Sequence, residues 1–309
     1  GYMFVGAGLG AYGFAMFHLI AHAFFKALLF LAAGLVIHHL HDEQDIRKMG
    51  GLRTVMPRTH LAFLVGTLAL VGIPPLSGFW SKDAILASAL ATGGALGWTL
   101  FVGGLVGALL TALYAFRLYY LVFRGPAHAT AGDHDAHGEG PISMLVPVGA
   151  LTVLSAIGGV LVVPGVWKPL EDWLHTVAEP LVEPSVAQDY GTSLVAVSVG
   201  LLGLYVAWRI VRSGRELVPD GVVRTVLEHK LYFDELYDAV LARPGQLVAL
   251  RLRDDVEGPF VHGSLDEVAR GAREAAGGAA RLQSGLLRTY ALVITGSVVV
   301  LALVFVVVR

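Results

Sequence analysis

His18, His22 and Lys26 recur at every fourth position of FHLIAHAFFKALLFLAAGLVIHHL, and Lys82 with Asp83 closes a second apolar run, VGIPPLSGFWSKD. Steps of four advance only ~40° around a helix, so the first three groups form one stripe. Lys26 lies about 14 residues, or ~20 Å, from either end of its apolar segment, too far for its side chain to snorkel to water. Such a stripe needs polar company: its own members, a neighbouring helix or a hydrated channel. A proton path supplies all three. Interhelical hydrogen bonding is the structural alternative, and it fits one lone histidine better than two histidines and a lysine in register. His18 and His22 at i, i+4 could begin a zinc site, but no third ligand is in register with them, so no metal is expected.

Lys82 and Asp83 raise a different question, because two prolines precede them. Pro74 and Pro75 lack a backbone N–H and disfavour the α conformation in the residue before each. The run from about 61 to 90 should therefore break near mid-span, with Gly78 adding freedom. Carbonyls freed in lipid must be satisfied by protein or by a water-filled cavity, as in the discontinuous helices of transporters. Lys82 follows the break by a turn or two. It is either a functional group whose charge state its surroundings decide, or, with Asp83, a marker of the membrane surface whose ammonium reaches the headgroups. Spacing alone leaves both readings open.

The elements that must position these groups are membrane spans. Of 309 residues, 55% are hydrophobic and only 15% charged, and the mean hydropathy is +0.68, beyond the range of soluble domains. The expected class is all-α and polytopic. Zero cysteines exclude disulfides, cysteine nucleophiles and thiolate ligation of zinc or iron–sulfur clusters in this chain. A net charge of −2 gives no sign of a nucleic-acid partner. Residues 1–11 read as the tail of a helix already under way, which marks the chain as the C-terminal part of a longer protein. Spans are expected at about 12–40, 61–90, 98–123, 142–164 and 192–212, with a last one over 289–309.

Lys and Arg counts orient these spans. Loop 41–60 carries four (Arg47, Lys48, Arg53, Arg58), segment 165–191 only Lys168, and the region from Arg209 to Lys230 five. Loops 41–60 and 124–141 and the region from Arg209 to Arg288 are thus expected on the cytoplasmic side. His128, His134 and His137 in the second loop, among Asp133, Asp135 and Glu139, read as a solvated loop rather than a metal site. Residues 213–288 are too polar to span and too patterned for a loop. Ser264 and Glu267 suggest a capping box, with Leu265, Val268, Ala269, Ala272, Ala276 and Ala279 on one helical face. The expectation is a long amphipathic helix, interrupted at Pro244 and Pro259, lying along membrane or protein.

Taken together, GYMF, FHLIAHAFFKALLFL, HDEQDIRKMGGL, GIPPLSGFWSKD and YFDELYD resemble the largest antiporter-like subunit of proton-pumping NADH:quinone oxidoreductase, respiratory complex I. The resemblance runs from the first residue to the last span. It implies the second of two inverted five-helix repeats over 12–212, a lateral helix over 213–288 and a terminal anchoring helix. It assigns His18, His22 and Lys26 to a central hydrophilic axis and Lys82 with Asp83 to an exit half-channel. Asp234, Glu235 and Asp238 would make contacts of the lateral helix with neighbouring antiporter-like subunits. FMN, iron–sulfur clusters and quinone would reside in partner subunits, NADH would act only through the whole complex, and the setting would be a bacterial inner membrane and its lipid. The family's first repeat, with its inlet-side glutamate and lysine, has no counterpart here, so a complete proton pathway is not expected. Two alternatives stand beside this reading: a subunit of a multisubunit sodium/proton antiporter, and a mainly structural strap.

Overall fold

The computed structural model describes residues 1–126, 138–163, 166–174, 181–214, 218–282 and 285–308. His128, His134 and His137 lie outside them. The protein is all-α, and among the described residues its only β contact is an isolated bridge between Val163 and Trp167. Two units divide the chain, Gly1–Leu217 and Val218–Arg309.

The first unit begins with α1 (Tyr2–Gly8) and α2 (Tyr12–His39), separated at Gly10, whose φ of +74° ends the first helix. A short α3 (Leu52–Val55) leads into α4 (Pro57–Val71), α5 (Ser77–Thr92) and α6 (Gly94–Tyr119), the last continued by a π turn over Tyr120–Arg124. Then come α7 (Ile142–Ile157), which extends as a 3-10 turn to Leu161, the short α8 (Pro169–Leu174) and α9 (Val186–Ser213). Among the described residues, five helices are long and apolar enough to cross a membrane: α2, α6, α7, α9 and the last helix of the second unit. At ~1.5 Å per residue, α4 and α5 are each too short to cross a ~30 Å hydrocarbon core alone. Residues 72–76 join them, so this stretch is a discontinuous helix rather than one straight segment.

Lipid gives no hydrophobic drive for helix association, so close backbone approach and van der Waals packing carry it. Ala112 of α6 and Gly203 of α9 show this: a Cβ on Gly203 would lie 2.6 Å from that of Ala112. The largest buried cluster runs through Leu28, Ala32 and Leu35 of α2, Phe63 of α4, and Phe116 and Phe123 of α6.

In the second unit α10 (Val222–Glu228), α11 (Phe233–Tyr237), α12 (Arg243–Arg251), α13 (Gly263–Leu282) and α14 (Leu287–Val308) follow in order, with π-helical turns over 238–242 and 252–262. The α-helix gives way to π-helical turns just before Pro244 and around Pro259, the two places where an interruption is expected. The backbone also departs from helix at Lys230, Leu231 and Tyr232, with φ of 53°, 60° and 59°. Ser264 does not cap α13. The preceding turn continues into the helix, and the Ser264 hydroxyl donates to the Val261 carbonyl at 3.1 Å. A capping box does occur at Ser185 and Gln188, opening α9.

Candidate functional site

The break between α4 and α5 is built so that its carbonyls find protein partners. Gly72, with φ +88°, takes the left-handed turn that ends α4, and Ile73 N–H returns to the Leu68 carbonyl at 3.0 Å. The Pro74–Pro75 bond is cis, and Leu76 is extended before Ser77 starts α5. Leu76 N–H then bonds the Ile73 carbonyl at 3.1 Å, and the Trp80 indole N–H bonds the Pro75 carbonyl at 3.2 Å. The Val71 carbonyl takes the ammonium of Lys82.

That last contact defines the site. The C-terminus of α4 carries the partial negative charge of its unpaired carbonyls, and Lys82, from the second turn of α5, places its cation there. Both Lys82 and Asp83 are buried, at 4% and 2% exposure, so neither side chain reaches the surface of this unit. Gly72 leaves the space for the lysine: a Cβ on it would lie 2.7 Å from Nζ. Gly78 serves differently from the expected loosening of the break. It sits inside α5, and a Cβ there would come within 1.8 Å of the Ala69 carbonyl oxygen, so its lack of a side chain lets the half-helices touch backbone to backbone. Neither Asp83 carboxylate oxygen has a hydrogen-bond partner among the described residues.

The α2 stripe faces this break. His18 is buried and its Nδ1 lies 3.0 Å from the Ser81 hydroxyl, one residue before Lys82. The His22 ring stands 6.0 Å from that of His18, centroid to centroid. Lys26 is half-buried, with its ammonium 5.2 Å from the centre of the Phe30 ring. A cavity of about 180 Å³ is lined by His18, His22, Lys26 and Lys82 together, with Tyr2 and Tyr114 also in its wall. It has room for several waters and the polar partners to hold them. Four titratable groups from two separate stretches of sequence thus share one chamber, and Asp83 is not in its lining.

Several contributors were not singled out as site residues by the sequence. Ser81 orients His18, and the Tyr2 hydroxyl donates to the Gly104 carbonyl at 2.6 Å, fixing its ring against His18. Glu139 accepts from Arg58 N–H, Thr59 N–H and the Thr59 hydroxyl at 2.7–2.9 Å, capping α4 from 80 residues away. In the second unit the three carboxylates bond near neighbours in the chain: Asp234 pairs with Lys230, Glu235 with His229 and Asp238 with Arg243. The His229 bond holds the Glu235 carboxyl below its ordinary range. Among the described residues no cluster of histidines and carboxylates could hold a metal.

Fold and site define a class: a polytopic membrane protein organised on a discontinuous helix with a buried lysine at its break. Residues 1–111 match the family model described as NADH:quinone oxidoreductase/Mrp antiporter, TM. Over 99% of its length the chain is 39% identical to NADH-quinone oxidoreductase subunit L of Escherichia coli, covering 48% of that protein. It is 37% identical to the subunit L of Mycobacterium tuberculosis (99% of this chain, 49% of the relative). With NAD(P)H-quinone oxidoreductase chain 5 of Synechocystis it shares 33% identity (99% and 52%). A solved Mrp complex from Dietzia shares the fold, with a TM-score of 0.52 at 22% identity over 87% of this chain and 29% of that one. The chain is thus similar, along nearly its whole length, to membrane subunits of NADH:quinone oxidoreductase, and it spans about half the length of the curated relatives it matches.

Proposed function

We propose that this chain is the C-terminal part of a proton-translocating membrane subunit of NADH:quinone oxidoreductase, and that Lys82, Asp83, His18, His22 and Lys26 move the proton. One observation carries the reading: Lys82 lies buried between the end of α4 and a chamber lined by the α2 stripe. A buried cation bonded to a carbonyl at a helix end has its protonation decided by neighbouring charge. Charge arriving on Lys26 or His22 would release the Lys82 proton towards Asp83, and its departure would let Lys82 reload. The redox chemistry supplying that charge lies in partner subunits, where FMN, iron–sulfur clusters and quinone belong. The neighbours are other antiporter-like subunits and lipid of a bacterial inner membrane, with residues 213–288 on the cytoplasmic side.

The test is NADH-driven proton uptake by inside-out vesicles carrying Lys82→Ala in the full-length subunit, scored beside NADH oxidation and assembly. Lower uptake with assembly intact supports the reading, and unchanged uptake removes it. The family description also covers Mrp antiporters. Vesicles that move protons in response to a sodium gradient and not to NADH would support that second reading.

A further inference from the structure

The half-helix α4 is held at each end by a charged side chain, and neither belongs to it. Met56, just before its first residue, provides no side-chain cap. Glu139 takes that place from the turn before α7. Its Oε1 accepts from Arg58 N–H at 2.9 Å, and its Oε2 accepts from Thr59 N–H at 2.7 Å and from the Thr59 hydroxyl at 2.9 Å. At the other end the Val71 carbonyl takes the ammonium of Lys82. An anion at the N-terminus and a cation at the C-terminus both complement the helix dipole, and hydrogen bonds to a charged partner are the strong ones. The 15 residues between these two anchors make a rod ~22 Å long.

The turn that carries Glu139 is seated on α2. Gly138 and Gly140 have φ of +64° and +130°, and a Cβ on Gly140 would lie 2.7 Å from Leu35 Cδ2. Only glycine lets the turn lie that close, and Pro141 then opens α7. Leu35 is fully buried on the helix that bears His18, His22 and Lys26. Glu139 therefore ties the first turn of α4 to the element carrying the stripe. Beside it His60 ties the same turn to α6, its Nε2 lying 2.7 Å from the Tyr119 hydroxyl.

We propose that Glu139 is a positioning residue for proton transfer at Lys82. By fixing the start of α4 against α2, it sets where the Val71 carbonyl stands at the end, and so the geometry of the bond to the ammonium. An α-helix carries a displacement of its first turn to its last, because each turn is bonded to the next. Glu139 is not in the lining of the chamber, so it acts through α4 alone. The inference rests on the proton-transfer reading of the break.

The test uses the assembled complex with Glu139→Gln in the full-length subunit, which keeps the size of the side chain and removes its charge. Amide hydrogen exchange is read by mass spectrometry beside protons taken up per NADH oxidised in inside-out vesicles. Exchange at Arg58 and Thr59 should rise several-fold. Exchange at Gly72 and Ile73, whose N–H groups return to the Leu68 carbonyl at 3.0 Å, should rise as well. The proton yield should fall two-fold or more while NADH oxidation persists. Thr59→Val, which gives up one bond of the three, should shift the same quantities less, and it serves where Glu139→Gln does not assemble. Faster exchange confined to Arg58 and Thr59 with an unchanged proton yield would make Glu139 a local cap and overturn the inference, as would unchanged exchange throughout. A normal proton yield in Lys82→Ala would instead remove the proton reading of the break, whatever the exchange at Gly72 and Ile73 shows of α4.

Discussion

The ammonium of Lys82 donates to the carbonyl of Val71, 11 residues earlier, so the second half of the broken helix caps the first. One side chain both completes the backbone of the break and carries the titratable charge. Lys82→Met, close in size and apolar, therefore has two expected effects. The uncapped carbonyl destabilises the subunit by ~1–3 kcal/mol, read as a lower melting temperature of the purified complex, and proton uptake falls while NADH oxidation persists. A variant that pumps normally would uncouple the cap from the function.

Gly72→Ala makes the same point without touching a titratable group. Its Cβ would meet Lys82 Nζ at 2.7 Å from a backbone held at φ +88°. Displacement of the ammonium should lower proton uptake as Lys82→Met does, with normal NADH oxidation.

Gly78→Ala should be more damaging, since its Cβ would come within 1.8 Å of backbone oxygen in Ala69, which cannot swing aside. Overpacking of this kind costs ~1–3 kcal/mol or more. The expected result is poor assembly on native gels. Gly34→Ala in α2, which meets nothing within 4 Å, is the matched control and should assemble normally.

Ser81→Ala removes the 3.0 Å partner of His18 and frees that ring to turn. A net loss of ~1 kcal/mol in stability is expected, with a partial loss of pumping. Ser81→Thr, which keeps the hydroxyl, should restore most of it. Equal pumping by both variants would make the bond structural.

The turn at 43–48 should resist acid. Hydrogen bonds from the Arg47 guanidinium and from its backbone N–H hold the Asp45 carboxyl down to about 2 from its ordinary 3.8. A depressed carboxyl contributes its stabilisation fully above the ordinary value and loses it as pH falls towards the lowered one. A spin label at Gln44 should loosen as pH falls from about 3.8 towards 2, and Asp45→Asn should shrink that transition to the part carried by Glu43, whose carboxylate accepts from Gln44 and Asp45 N–H.

Much of this protein is written locally. Apolar runs of 20 or more residues mark spans because lipid leaves the backbone no partner outside the helix. Pro74 and Pro75 mark the break because their rings remove donors whatever surrounds them. The stripe of His18, His22 and Lys26 is a matter of helical period. The family resemblance rests on the same strings. Where the reading failed, a local pattern met a longer-range circumstance. Ser264 and Glu267 have the spacing of a cap, but a continuing helix leaves no free end to cap.

What tertiary structure decided is which groups meet. Lys82 could have lain at the membrane surface or in the protein interior, and only the packing of α5 on α4 and α2 put it against Val71 and into a chamber with His18, His22 and Lys26. Ser81, Glu139, and the pair of His60 and Tyr119 acquire their partners across 63, 80 and 59 residues respectively. Contacts at that separation depend on crossing angles and on where a glycine lets two backbones touch. The sequence by itself determined the spans, the break and the stripe, because those follow from one segment's own hydrogen bonds and period. The chamber belongs to the fold, because its walls come from segments that meet only when the helices pack.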